Sequence, residues 1–356
     1  MSGLPSVIIT FRQRAAAAIQ QGAAGILALV LKDSSVTNAT ERRVQGVEDI
    51  PAGLSADNSN YVKMALMGAP KEIRLILLSE KAADYVEAFN LLESIRFNVV
   101  AIPGIAAADV TAAGTWSKGM FETKDRKITA VLPNCATDHP AVINFATEDI
   151  EVGAKKYTAS QFSARIAGII AGLPLTVAPT FFPLPEVTNV PKMIKAQADA
   201  AVNAGKLILY HDGEKIKIAR GVTSFVTVTE SMGEDWKKIK LVRILNKTYH
   251  DVKSTIEDSY IGKVQNSYIN KLLLVSAINA YFEQLEQDGV LDPGKNRAEI
   301  DVPAQRTYLK SILGESVVAG MTEQQIKEAN TRDQVFLTAA ERPLDAIEDV
   351  KLVVNL

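Results

Sequence analysis

The residue types able to do chemistry are few and scattered. The three histidines, His139, His211 and His250, belong to no cluster of ligating side chains, so no metal site is read from them. Ordinary surface roles are expected: His139 in a loop before Pro140, His211 at a turn tip, His250 on a polar helix face. The single cysteine, Cys135, excludes an internal disulfide and every multi-cysteine metal site. It stands four residues before His139, but that loop spacing does not supply the geometry that activates a thiolate. There is no G-x-x-x-x-G-K-[ST], no G-x-S-x-G, and no G-x-G-x-x-G following a strand. Gly168 and Gly172 fall at the end of a helix, where close packing and termination explain them better than phosphate binding. Glu148, Asp149 and Glu151 cluster beside a strand end without aromatic platforms for a sugar. Neither a catalytic residue nor a cofactor-binding residue is assigned.

One charged run remains. Lys237, Lys238, Lys240, Arg243 and Lys247 carry no acid between them, with Trp236 alongside. Ile239, Leu241, Val242, Ile244 and Leu245 interleave with them, so the run reads first as one solvated helix face, second as a protein contact, and only last as a nucleic-acid surface. The whole chain argues the same way. Its 356 residues carry 39 Lys and Arg against 41 Asp and Glu, a net charge of −2, which supplies no global field for nucleic acid or an anionic membrane. Hydrophobic residues at 47% and charged residues at 22% are those of a globular chain and exclude a low-complexity one. No stretch approaches the roughly 18 apolar residues of a spanning helix, and the N-terminus lacks the pattern of a signal peptide. Synthesis and initial residence in the cytoplasm are expected.

The elements that would position any site fall into two textures. Residues 21–185 alternate strands and helices. The strands are 25–31, 72–78, 97–102, 127–132 and 141–145; the helices are 57–67, 82–95, 108–121 and 160–171. This predicts an α/β domain with a largely parallel sheet covered on both faces. A proline-rich break over 176–195 follows. Residues 186–348 read as an α+β domain: a hairpin over 206–219, a strand at 225–228, helices over 235–260 and 266–287, a short helix capped by Thr322, and a strand at 334–339. The apolar stripe predicted for the helix over 266–287 is Ile269, Leu272, Leu273, Ala277, Ala280, Tyr281 and Leu285.

Both ends of the chain are strand-like. Leu4, Val7, Ile8, Ile9 and Phe11 mark an N-terminal arm within residues 1–20. Val350, Leu352, Val354 and Leu356 alternate in a C-terminal arm over 349–356. A lone terminal strand must pair with something. A large, well-patterned chain with no catalytic constellation and two strand-like tails points to a structural assembly subunit whose strands pair with neighbours. Head-to-tail exchange of that kind builds rings or helical arrays. The alternatives are a dimeric scaffold, or an α/β enzyme with an unrecognised site.

Several segments, taken in order, carry a resemblance. They are Gly3–Ile9, Arg14–Ala17, Gly25–Asp33, Ala167–Leu175, Ile218–Ser224, Asp258–Tyr268, Ile326–Thr331 with Val335–Leu337, and Leu344–Val350. Together they resemble the sheath protein of contractile phage tails, in the short form found in Gram-positive myophages, defective prophages and clostridial phage-tail-like bacteriocins. The resemblance implies a structural subunit with no cofactor, forming hexameric rings stacked helically around a tail tube. Its arms exchange strands with neighbours, and contraction triggered at the baseplate drives the tube through a target envelope. The implied partners are further copies of the chain, the tail tube, and the baseplate and tail terminator proteins. The implied location is a virion tail or tail-like particle assembled in the bacterial host cytoplasm. The α/β domain would be subtilisin-like in fold and non-catalytic, and the Lys237–Lys247 run would be the candidate tube-facing surface.

Overall fold

A continuous apolar strand has to be covered on both faces, and the run that begins at Gly25 is the centre of the molecule. In the computed structural model, which describes Ile19 and residues 25–355, it forms β1 (Ile26–Asp33). Among the described residues the chain divides into two compact units, one of residues 25–250 with 343–355 and one of Asp251–Arg342.

The first unit holds a seven-stranded sheet in the order β2-β3-β1-β4-β5-β6-β9. Its other strands are β2 (Thr40–Val44), β3 (Glu72–Ser79), β4 (Val99–Ala101), β5 (Thr129–Pro133), β6 (Val142–Phe145) and β9 (Lys206–Leu207). All pairs are parallel except β2 with β3, which closes one edge antiparallel. Alternation along each strand sends neighbouring side chains to opposite faces. Leu27, Leu29 and Leu31 join one apolar core, while Ile26, Ala28 and Val30 join the other. The first core is roofed by α1 (Ala56–Leu66) and α4 (Ala159–Gly172), the second by α2 (Val86–Glu93) and α3 (Ala107–Glu122). A hairpin of β7 (Ile150–Val152) and β8 (Lys155–Tyr157), helix α5 (Lys195–Asn203), and a hairpin of β10 (Leu209–His211) and β11 (Ile216–Ile218) complete the unit.

Glycine lets α1 and α4 approach closely. A Cβ at Gly168 would sit 2.2 Å from the Ala65 carbonyl oxygen, and one at Gly172 would sit 1.8 Å from that of Gly68. Both obstacles are backbone, which cannot swing aside. These glycines serve packing, as the sequence indicated.

Helix α6 (Ile239–Ser259) starts in the first unit. The second unit contains α7 (Tyr268–Gln287), β12 (Arg297–Ile300), α8 (Val302–Leu313), α9 (Glu315–Ala319), α10 (Glu323–Glu328) and β13 (Leu337–Ala340). Thr322 caps α10 by accepting from the Gln325 amide, as expected. Here Lys271 is buried. Its Nζ donates to Thr331 Oγ1 at 3.0 Å, and burial pushes its pKa down.

Several expectations need correcting. The contacts divide at 250/251 rather than 185/186, because β9 joins β6 in the main sheet and carries the later segments with it. The buried stripe of α7 is Leu274, Ala277, Ile278, Tyr281, Phe282 and Leu285; Ile269 is 67% exposed and Leu272 is also exposed. Residues 225–228 form no strand, since the Asp138 carboxylate takes the amides of Val226 and Thr227 at 2.6 and 3.0 Å. Residues 348–355 form no strand within this single chain.

Candidate assembly site

The C-terminal segment that begins at Pro343 lies against the first unit and is bolted there by opposite charges. Three elements supply the bolts. Thr180 comes from the proline-rich stretch, Arg220 from the loop after β11, and Lys238 and Lys240 from the start of α6. Arg220 Nε donates to Glu348 Oε2 at 3.0 Å, and its Nη2 pairs with the Asp349 carboxylate. Thr180 Oγ1 accepts from the Gly221 amide at 2.9 Å and donates to the other Glu348 oxygen. Lys238 pairs with Asp345, and Lys240 Nζ donates to the Leu344 carbonyl at 2.7 Å.

The charges respond as such a clasp requires. The hydrogen bond to Asp349 raises the Arg220 pKa, and the same bond holds the Asp349 carboxyl below its usual range. Beside the clasp, Phe181, Ala198, Val202 and Tyr210 line a cleft with Arg220 and Glu348. Phe181 itself has φ of +57°, a strained backbone for a bulky residue, and Lys217 Nζ lies 3.9 Å from its ring centroid.

Past Asp349 the bolts stop. Val350, Leu352, Val353 and Val354 are 78, 82, 82 and 69% exposed. Four large apolar side chains exposed this close together, interrupted only by Lys351, are unfavourable in water unless something covers them. Of the expected arm residues, these include Val350, Leu352 and Val354. Leu4, Val7, Ile8, Ile9, Phe11 and Leu356 lie outside the described residues.

The basic run is not one solvated face. Lys237 pairs with Glu234 at 3.0 Å, and Lys238 is taken by Asp345. Lys240 is 3% exposed. Arg243 Nη2 donates at 2.6 Å to the Leu173 carbonyl, just beyond α4, and burial pushes its pKa down to about 10. Lys247 is half-buried beside Asn98 and Thr129. The clasp partners Thr180, Arg220, Asp345 and Glu348 were not singled out from the sequence. The signal available was the acidic spacing 345, 348, 349 set against an unpaired-looking basic run.

The groups that could be mistaken for a reactive site are structural. The Cys135 thiol is buried and pushed up to about 11, the opposite of an activated nucleophile. His139, expected at the surface, is 3% exposed; its Nδ1 accepts from the Ala141 amide, its ring meets Phe121 edge-on, and burial lowers its pKa. His211 Nδ1 accepts from the Gly213 amide, and His250 Nε2 lies 2.9 Å from the Lys127 carbonyl. Glu148 accepts from the Ala159 amide at the start of α4. Among the described residues no group of three or more His, Cys, Asp or Glu is placed to hold a metal ion.

Comparison with known proteins agrees with a non-catalytic reading. The profile of the phage tail sheath protein central domain matches residues 79–224, and that of the phage tail sheath C-terminal domain matches residues 231–356. The tail sheath protein of Clostridium phage phiCD119 is 36% identical, with both chains covered in full. Among solved structures, the sheath tail protein of Desulfitobacterium hafniense superposes with a TM-score of 0.68 at 16% identity, covering 83% of this chain and 94% of that one. The sheath of an extracellular contractile injection system (PVC), in its contracted state, gives 0.72 at 12% identity over 100% and 98%.

Proposed function

The chain belongs to the phage tail sheath family, and from that premise we propose that it polymerises as stacked hexameric rings around a tail tube. Contraction of that polymer drives the tube through a target cell envelope. The chain is a structural subunit, not an enzyme. Its α/β unit is read as a subtilisin-like arrangement without the catalytic groups. The working partners are further copies of the chain, the tail tube, and the baseplate and tail terminator proteins. The working location is a virion tail or tail-like particle assembled in the host cytoplasm.

The observation that carries this reading is the tail. Residues up to Asp349 are fixed by Arg220, Thr180, Lys238 and Lys240, and the apolar residues from Val350 onward are exposed. A fixed root with a free apolar end is the form of a strand that completes itself on another copy. Such interchain strands act as tethers that persist while subunit faces repack between extended and contracted states. In this arrangement Lys238 and Lys240 hold the tail root rather than face a tube.

The test is electron microscopy of the purified chain, alone and co-produced with its tube protein, with and without residues 350–356. Striated tubes that vanish on truncation support the proposal. Tubes that persist without the tail overturn strand exchange through it.

A further inference from the structure

The parallel strands β1, β4 and β5 start side by side, and next to their first residues lies a cavity of about 30 Å³. Asn98 and Thr129 line it from the sheet, and Arg243, Asn246 and Lys247 line it from α6. Positions 243, 246 and 247 are three and four apart, so the helix turns them to one side. The backbone at the strand starts is already paired. The Asn98 amide donates to the Ile26 carbonyl at 2.9 Å, and the Thr129 amide donates to the Asn98 carbonyl at 3.0 Å. The Ile26 amide donates to Asn98 Oδ1 at 3.0 Å, which leaves Asn98 its side-chain nitrogen to offer.

The unspent group is the Arg243 guanidinium. Its Nη2 donates to the Leu173 carbonyl, but Nη1 is closed off from solvent and has no hydrogen-bond partner among the described residues. A carbonyl satisfies one donor and cancels no charge, and a desolvated cation is unfavourable unless an opposite charge compensates it. None of the residues lining the cavity is acidic, while Lys127 and Lys247 add two further cations to its wall. The residues outside the described ones include no Asp or Glu either. Burial lowers the Arg243 pKa, and no carboxylate acts to raise it again. We propose that this cavity is a site for one small inorganic anion of halide size, held by the Arg243 guanidinium. The space sets the size: it exceeds the roughly 10–15 Å³ that one water needs, which leaves room for a halide and none for a nucleotide or a peptide. Bound there, the anion ties α6 to the strand starts, so the anion content of the medium sets part of the stability of the first unit.

The test uses the full chain in sodium gluconate, whose anion is too large for the cavity, with chloride substituted for it at constant ionic strength. A ligand that binds only the folded state stabilises it. The melting temperature is therefore expected to rise with chloride, and the folded chain to broaden the chloride NMR line. Arg243→Met is expected to abolish the rise and to cut the excess line width at least threefold. Lys118→Met, which removes a cation of α3 away from the cavity, should leave both responses in place. A native chain indifferent to chloride, or an Arg243→Met chain with the native response, overturns the site and leaves only water in the cavity. If Arg243→Met does not fold, Lys247→Met decides instead: a weakened response supports the site, and the native response overturns it.

Discussion

Arg220 and Glu348, 128 residues apart in sequence, meet at 3.0 Å and set the point at which the tail leaves the body of the protein. The Glu348 side chain is nearly buried, so its carboxylate depends on the two groups that reach it, Arg220 and Thr180. Removing one partner of a buried polar contact leaves the other with its desolvation cost uncompensated.

Arg220→Ala is therefore expected to cost about 1–3 kcal/mol and to release the tail root. Limited proteolysis between residues 343 and 350 should then be faster than in the native chain, and tube formation should fall. The exchanged pair Arg220→Glu with Glu348→Arg should recover protection if the contact is electrostatic; no recovery would mean that packing, not charge, holds the root.

Deleting residues 350–356 should behave differently. The described side chains among them, at 350–355, are exposed, so little transfer free energy is lost with those. The melting temperature is expected to stay within a degree or so, since changes below about 0.5 kcal/mol move it little, while assembly is lost. A large drop in melting temperature would show that the tail stabilises its own chain.

The contrast between root and arm also shows what the sequence could reveal. Strands such as β1 and β3 were legible because burial on both faces demands an unbroken apolar run. Val350, Leu352 and Val354 were legible as an alternating apolar row, yet residues 350–354 form no strand here, because a strand is a pairing relation and pattern alone does not name the partner. β2 was missed because an edge strand reading Thr-Glu-Arg-Arg-Val carries no apolar run. The α7 stripe was misplaced for a different reason. Lys271 is buried against Thr331, Gln305 and the Ala329 carbonyl, while Ile269 faces outward, and polarity alone reverses that assignment. The clasp was invisible because Thr180, Arg220 and Glu348 are ordinary residues until the fold brings them together.

Gly168→Ala should be among the more damaging small substitutions. A helix-interior alanine is normally favourable by about 0.5–1 kcal/mol over glycine, but here the added methyl meets the Ala65 backbone at 2.2 Å. The helices must separate, and overpacking of that kind costs typically 1–3 kcal/mol. Chemical denaturation should show a lower midpoint with an unchanged slope; an equal or higher midpoint would show that α1 and α4 separate freely.

Cys135 gives a chemical readout of the first unit. Burial raises its thiol pKa to about 11, so at pH 8 almost none is thiolate, and the sulfur is also shielded. Its reaction with a thiol reagent at pH 8 should be limited by unfolding, with a rate insensitive to reagent concentration and rising steeply with denaturant. Rapid labelling of the native chain in proportion to reagent would refute the inert assignment.

Asp33 supplies the pH dependence. It ends β1 at the carboxyl edge of the sheet, where an α/β enzyme would keep its ligands, but its oxygens are already spent. They accept from the amides of Ser35 and Ser55 at 2.9 and 3.0 Å and from Asn58 Nδ2 at 2.7 Å. Burial pushes the carboxyl pKa up, yet the hydrogen bonds from Ser35, Asn58 and Ser55 together outweigh it and hold it well below the usual carboxylate range. A depressed folded pKa means that the unfolded chain binds the proton first as pH falls. The stabilisation is thus complete above the unfolded value near 4 and is lost progressively as acidification approaches the folded value. Asp33→Asn removes that linkage and leaves one acceptor where two charged oxygens stood. The difference in unfolding free energy between native chain and variant should be largest at pH 7 and shrink below pH 4. A difference constant from pH 7 to pH 3 would show that the carboxylate charge contributes nothing and that the site works through shape alone.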